Sequence, residues 1–212
     1  MRILLIRHGR QDSPLCNVNV PLAEEGRLQA ELLGERLKKE HVDAVWSSDL
    51  IRAMETAEIV NQYLNVPREV RADLKEISFG DMEGLSDAVI ADKFEDFLRA
   101  RAKMEKDLAY PGGESAQDVV TRVLPVIKEI SEQDYDTVAV VTHGGVIRSL
   151  VAHYLGMDLA KVPLLAGHLE NCGITELWVR KMDGRVTINR FNDAAHLDAC
   201  PELKRSGWRG KR

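Results

Sequence analysis

Hydrophobic positions along this chain alternate between short unbroken runs and longer stripes at helical spacing. The first run, Ile3-Leu4-Leu5-Ile6 within Arg2–Ile6, predicts a strand buried on both faces. A parallel sheet covered by helices has no solvent side, so its strands need not alternate apolar with polar. From Leu22 to Glu40 the residues Leu22, Ala30, Leu33 and Leu37 recur at helical spacing. A second run at Asp43–Trp46 predicts another strand, and Leu50, Ala53, Met54, Ala57, Val60 and Leu64 form a helical stripe closed by Asn65-Val66-Pro67. Glu69–Ala72 reads as a third strand. Asp87–Lys106 has a weaker apolar face and predicts an inserted, partly exposed helical segment. Pro111-Gly112-Gly113 then breaks the chain. Ser115 with Asp118 makes a capping pair for a helix that buries Val119, Val120, Val123, Ile127 and Ile130 and bends at Pro125. Thr137–Val141 is the strongest strand signal, and Val146, Ile147, Leu150, Val151 and Tyr154 continue as a helix. Cys172–Val179 and Arg185–Phe191 read as strands joined at Met182-Asp183-Gly184, where Asp-Gly signals a hairpin turn.

Strand and helix alternate and a hairpin closes the series. The fold class is therefore α/β: a doubly wound, mostly parallel sheet with helices on both faces, an antiparallel edge and a small helical lid insertion at about 85–112. At 212 residues the chain suits one domain, placed at 1–197, followed by a basic tail at 198–212.

Charge changes the picture by exclusion. Of the net −5, residues 201–212 hold +4, from five basic residues against Glu202, which leaves −9 on the rest. A body of that sign is a poor nucleic-acid binder, because counterion release requires clustered cations facing phosphates. The tail reads either as a small anion-seeking arm or, as such ends more often are, as a solvated, frayed end. No apolar stretch approaches the roughly 18 residues of a spanning helix or the core of a signal peptide, so no membrane partner is expected. Cys16, Cys172 and Cys200 are odd in number and far apart, which argues against a disulfide framework and for a reducing cytoplasm.

Ligands in open α/β sheets sit at the carboxyl ends of strands. Two such ends carry one signature here, Arg7-His8-Gly9 after the first strand and Thr142-His143-Gly144-Gly145 after the strongest one. Glycine allows a ligand close approach to the backbone, and the second turn opens a helix whose N–H groups and dipole suit an anion. Ser47-Ser48-Asp49-Leu50-x-Arg52 puts Arg52 in the first turn of a helix beyond the second strand. Alone, Arg52 reads as a surface residue; beside Arg7 and two imidazoles it completes an oxyanion site, since a guanidinium forks onto phosphate oxygens. Phosphoryl transfer also needs an acid for the leaving oxygen. The loop Glu76-Ile77-Ser78-Phe79-Gly80-Asp81-Met82-Glu83-Gly84 offers carboxylates between glycines, and Glu83 is the candidate, on condition that burial holds its carboxyl toward neutrality. There is no cysteine-phosphatase loop, G-x-x-x-x-G-K-[ST] loop, G-x-S-x-G elbow, G-x-G-x-x-G fingerprint or H-E-x-x-H pair, so neither a cofactor nor a metal is expected.

Leu5-Ile6-Arg7-His8-Gly9, Ser47-Ser48-x-x-x-Arg52-x-x-x-Thr56-Ala57, Glu76-Ile77-x-Phe79-Gly80-x-x-Glu83-Gly84, Pro111-Gly112-Gly113-Glu114-Ser115 and Val141-Thr142-His143-Gly144-Gly145 occur in that order. This pattern resembles the histidine phosphatase superfamily, with its phosphoglycerate mutase-like fold. Phe191-Asn192-Asp193-x-x-His196-Leu197 is similar to its α-ribazole phosphatase and broad-specificity phosphatase branch. The resemblance covers residues 1 to about 197. It implies a hydrolase: a metal-independent phosphomonoesterase acting on a small phosphorylated metabolite. His8 is implied as the nucleophile that becomes phosphohistidine. Arg7, Arg52 and His143 would hold the phosphoryl oxygens, the Gly144 N–H would add a donor, and Glu83 would act as general acid and base. The His8 ring should donate from its other nitrogen to a backbone carbonyl. Departures from the family pattern are Arg10, Gln11 and Pro14 after the first motif, where Glu, Thr or Ser, and Asn are common, and Met82 where Trp is common. Arg10 either adds charge to the site mouth or points to solvent. A mutase is the alternative among enzymes, disfavoured by the small lid; a catalytically silent phospho-ligand binding module is the alternative of another class, disfavoured by the presence of His8 and Glu83. The assembly is expected to be a monomer or homodimer.

Overall fold

A computed structural model describes residues 1–205; the rest of the basic tail, residues 206–212, lies outside the described residues. Six strands, β1 (Arg2–Arg7), β2 (Ala44–Ser47), β3 (Arg68–Val70), β4 (Thr137–Thr142), β5 (Ile174–Val179) and β6 (Val186–Asp193), form one sheet in the order β3-β2-β4-β1-β5-β6. The first four run parallel; β5 is antiparallel to β1 and β6 antiparallel to β5. This is the expected open, doubly wound sheet with an antiparallel edge. Because β4 inserts between β2 and β1, the winding reverses beside β1, and a crevice opens at the carboxyl ends of β1 and β4.

Alternate residues of the inner strands feed two separate cores. Ile3 and Leu5 with Val138 and Val140 pack beneath α5 (Ala116–Ser131) and α6 (Gly144–Tyr154). Leu4 and Ile6 with Ala139 and Val141 pack beneath α1 (Glu24–Leu37) and α2 (Ile51–Leu64). Burial on both sides is why these strands read as unbroken apolar runs. Helix α5 opens on the expected capping box, with Ser115 and Asp118 bonding reciprocally, and runs as one helix through Pro125. Helix α2 ends at Asn65, whose φ of 52° puts it in the left-handed region that terminates helices.

The segment expected to insert between the third strand and α5 forms two short helices, α3 (Asp87–Lys93) and α4 (Glu95–Ala102), neither with a buried residue. The chain after 197 departs from expectation within the described residues. It turns over Pro201–Leu203 and packs against the body: Leu203 is buried, and its carbonyl accepts a 2.7 Å hydrogen bond from the buried amide of Gln29. The basic charges at its end hid one apolar anchor. Among the described residues, no helix is long and apolar enough to cross a membrane, and all three cysteines are free.

Candidate active site

Arg7 lies in register with Thr142, so the residues that follow them face each other: the rings of His8 and His143 sit 5.0 Å apart at 51°. His8 is tied down by its backbone. Its N–H donates to the Thr142 carbonyl at 2.9 Å, and its own carbonyl accepts from Asn171 Nδ2 at 2.8 Å. The next residue must be glycine, because a Cβ at Gly9 would stand 2.5 Å from the carbonyl oxygen of Gly26 on α1. Gly9 N–H donates to Thr56 Oγ1, which itself donates to the Arg52 carbonyl one turn earlier on α2. One short network thus couples the His8-Gly9 turn to the helix that carries Arg52.

The His8 ring is oriented by two contacts. Nδ1 lies 2.7 Å from the Gly9 carbonyl oxygen, an acceptor only, so Nδ1 carries the proton and Nε2 keeps its lone pair. On the far side Arg52 Nε donates to Nε2 at 3.3 Å. Burial, then the charges of Arg7 and Arg52, hold the His8 imidazole well below its ordinary range, so it is neutral at pH 7. Burial, then His8, Arg52 and Arg7, do the same to His143. A neutral, singly protonated imidazole with an oriented lone pair is the nucleophilic form.

The surrounding cationic groups are partly engaged and partly free of protein acceptors among the described residues. Arg52 is almost wholly buried; it also donates to the Val18 carbonyl at 3.0 Å and to Asn17 Oδ1 at 2.7 Å. Arg7 donates to the Leu169 carbonyl, but its Nε is buried without a partner among the described residues, as are both ring nitrogens of His143. Buried polar atoms left unpaired are costly, and three cluster here beside a helix N-terminus, a setting that suits an anion. Gly144 is the first residue of α6, where an N–H has no intrahelical acceptor, and it lies beside Arg7.

The carboxylates do not divide as expected. Glu83 is exposed; its Oε1 accepts from Asn17 Nδ2, Ser78 Oγ and Phe79 N, so the burial on which its acid role depended is absent. The carboxylate turned toward the histidines' side is Glu76. It is half-buried, and its Oε1 accepts from Gly145 N and Ile77 N, each at 2.9 Å. A Cβ at Gly145 would sit 2.5 Å from that oxygen and 2.6 Å from Ile77 Cγ2, so a side chain there would displace the Glu76 carboxylate. The Pro111–Ser115 motif supplies support to this loop: Glu114 accepts from Ser78 N and takes a two-pronged contact from Arg122, whose NH2 also donates to the Glu76 carbonyl.

A cavity of about 380 Å³ adjoins these groups; Arg7, Glu76, Gly144 and Gly145 lie on its wall. Arg10 is not on that wall and pairs instead with Glu25 on α1 at 2.9 Å. Met82 is buried and fills a packing position. Asn17, Asn171 and Glu76 are the site residues that motif reasoning passed over. Asn17 reaches Arg52 through a loop with a left-handed turn at φ 45°. Asn171 sits just before β5 in no recognisable motif, and only its bond to His8 reveals it. Among the described residues, no group of three or more His, Cys, Asp or Glu is placed to hold a metal ion.

The chain is similar to known proteins in sequence and in fold. The model of the histidine phosphatase superfamily (branch 1) matches residues 3–194. The chain is 32% identical over 212 residues to the metal-independent phosphoserine phosphatase of Arabidopsis thaliana, covering 96% of this chain and 86% of the relative. Among solved structures it is similar to mycobacterial glucosyl-3-phosphoglycerate phosphatase, with a TM-score of 0.81 and 29% identity over 91% of this chain and 98% of that one. It is also similar to α-ribazole phosphatase from Shigella flexneri, with a TM-score of 0.77 and 26% identity over 92% and 97% of the two chains.

Proposed function

Because the chain belongs to the histidine phosphatase superfamily and is a phosphatase, we propose that it hydrolyses a small phosphomonoester through a phosphohistidine on His8. The observation that carries this reading is the neutral His8 ring, its Nε2 lone pair set beside Arg52 and His143 and its Nδ1 proton held by the Gly9 carbonyl. Relatives named for phosphoserine and glucosyl-3-phosphoglycerate support a small phosphorylated metabolite as the substrate class.

In the first step His8 Nε2 attacks phosphorus, an N–P bond forms and the P–O bond to the leaving group breaks. Arg7, Arg52, His143 and the Gly144 N–H donate to the three phosphoryl oxygens, where charge develops. Glu76, held by Gly145 N, hands a proton to the departing oxygen and takes one back from the water that attacks in the second step. That step breaks the N–P bond, releases phosphate and returns the lone pair to Nε2. Hydrolysis rather than mutase chemistry is supported by α3 and α4, which have no buried residue and make a slight cover.

The test is phosphate release from para-nitrophenyl phosphate and 3-phosphoglycerate in excess EDTA, with quenched reactions assayed for acid-labile, base-stable phosphoenzyme. Wild type should give both signals and His8→Ala neither. Turnover that dies with EDTA, or label that survives in His8→Ala, overturns the reading; isomerised phosphoglycerate without free phosphate makes the protein a mutase.

A further inference from the structure

The phosphoryl chemistry makes no direct use of the chain just before β5, yet that chain grips both Arg7 and His8. Arg7 N donates to the Gly173 carbonyl at 3.2 Å, and Cys172 N donates to the Arg7 carbonyl at 2.9 Å. The Arg7 guanidinium reaches the Leu169 carbonyl. Asn171, 2% exposed, donates from Nδ2 to the His8 carbonyl at 2.8 Å. That last bond completes a hold on one peptide plane. The His8 carbonyl lies on one side of the plane and the Gly9 N–H on the other, where it donates to Thr56 Oγ1 at 3.0 Å. A peptide unit is planar and rigid, so holding both of its polar groups fixes the direction in which the chain leaves it. Each bond also polarises the unit and strengthens the other. The next carbonyl along, that of Gly9, is the one that takes the His8 Nδ1 proton.

The turn that carries Asn171 is itself constrained. Cys172 is held at φ 57°, a left-handed conformation that a cysteine keeps only where its surroundings enforce it. Asn192 supplies part of that enforcement. Its Oδ1 accepts from Glu170 N at 2.7 Å, and its Nδ2 donates to the His168 carbonyl at 3.3 Å. The fit is close, since a Cβ on Gly173 would stand 2.8 Å from Asn192 Oδ1. Asn192 reaches the turn because β6 carries an extra residue there: Ile174 pairs with Asp193, but Glu176 pairs with Arg190. A bulge re-aims a side chain, and asparagine tolerates the left-handed φ of 54° that this one imposes. The Phe191-Asn192-Asp193 motif thus bears on His8 through the turn between them.

We propose that Asn171 is a positioning residue for His8: with Thr56 it fixes the His8–Gly9 peptide, which keeps the Nδ1 proton on the Gly9 carbonyl and Nε2 bare for attack. Asn192 holds Asn171 in place. This rests on the phosphatase reading above. With the peptide released, the Gly9 carbonyl moves off Nδ1, the proton can pass to Nε2, and the attacking lone pair is lost. Asn171 donates to no phosphoryl oxygen in this scheme, so anion binding by Arg7, Arg52 and His143 is left intact.

The test is Asn171→Leu, which keeps the side-chain volume and removes the donor, read by nitrogen-15 NMR of the histidine rings and by quenched single turnovers of para-nitrophenyl phosphate. In wild type the His8 ring should carry its proton on Nδ1, its signals being those lost in His8→Ala. In Asn171→Leu the Nε2-protonated tautomer should appear. Phosphoenzyme formation should slow by about 10²-fold, the cost of displacing a reacting group by about 1 Å. Inhibition by inorganic phosphate should stay as in wild type. Thr56→Val releases the other side of the same peptide and should slow the same step, and the double variant should lose less than the product of the two losses. An unchanged tautomer, a changed tautomer at unchanged rate, or losses that simply multiply overturn the inference. So does a loss of phosphate binding equal to the loss of rate, which would make the turn merely structural. Should Asn171→Leu fail to fold, Asn192→Ala takes the same readouts, and an unchanged His8 tautomer there overturns the inference. Wild type that forms no phosphoenzyme removes the phosphatase reading and this role with it.

Discussion

Arg2 and Arg7 stand at opposite ends of one six-residue strand, and the protein surrounds them in opposite ways. At the amino end, Arg2 meets Glu176 at 2.7 Å and Glu40 at 2.5 Å. Glu176, 1% exposed, also accepts from Trp178, Asn189 and Arg190, so every charge there has a partner. Burial alone would raise the Glu176 carboxyl; the hydrogen bonds from Asn189, Trp178, Arg2 and Arg190 hold it instead at about 2. At the carboxyl end, Arg7 has one backbone acceptor, a buried Nε without a partner among the described residues, and other guanidiniums for neighbours. The amino end is saturated and contributes to one specific fold. The carboxyl end withholds its partners, and in the phosphatase reading proposed above the donors it leaves unpaired are those a phosphoryl group would take up.

The carboxyl end also separates Glu76 from Glu83. Glu76→Gln should lower kcat/KM for an alkyl phosphate by about 10²–10⁴, with a much smaller loss on para-nitrophenyl phosphate, whose leaving group needs no proton. Glu83→Gln should cost little on either, since its carboxylate is exposed and bonded to Asn17, Ser78 and Phe79. Steady-state kinetics with both esters decide between them, and the reverse order would return the acid role to Glu83.

At the amino end the cost should fall on stability instead. Glu176→Ala takes one partner each from Arg2 and Arg190, which keep Glu40 and Asp193, and should lose about 1–3 kcal/mol in urea unfolding, with kcat/KM unchanged below the transition. Acid should divide the ends further. His8 and His143 have folded values below 6.5, so the unfolded chain binds protons first and stability declines as pH falls below 6.5. Glu176 is held below its ordinary 4.5, so its share is present above 4.5 and is lost as pH falls toward 2. Glu176→Ala should therefore keep the first decline and lose much of the second; an unchanged acid profile would show that the network contributes nothing.

Ligand binding completes the comparison. Inorganic phosphate at a hundred times its Kd should stabilise the native state by about 2.7 kcal/mol in thermal or urea unfolding. Arg7→Ala should abolish that gain, whereas Glu176→Ala should retain it. Phosphate stabilisation that survives in Arg7→Ala would place the anion elsewhere.

Much of this was legible along the chain. The strand runs were plain because both sheet faces are covered, and the two His-Gly turns could be placed together because winding rules bring ligands to strand ends at a reversal. Arg52 followed from its place in the first turn of a helix. What stayed hidden sits in irregular segments, where no periodicity says which way a side chain faces. Glu76 and Glu83 are seven positions apart in one loop with similar neighbours. Glu76 faces the site because Gly145 N, far along the chain on α6, meets its carboxylate. Asn17 lies in no recognisable motif, and only a left-handed turn brings it onto Arg52.

Sequence by itself determined the layered α/β fold and the meeting of the two His-Gly turns with Arg7 and Arg52, because local spacing and sheet winding suffice to place them. Tertiary structure decided which carboxylate faces the site and how the C-terminal segment packs back onto α1. Both depend on single hydrogen bonds, Gly145 to Glu76 and Gln29 to Leu203, between residues 69 and 174 positions apart, and such pairings exist only once the chain has packed.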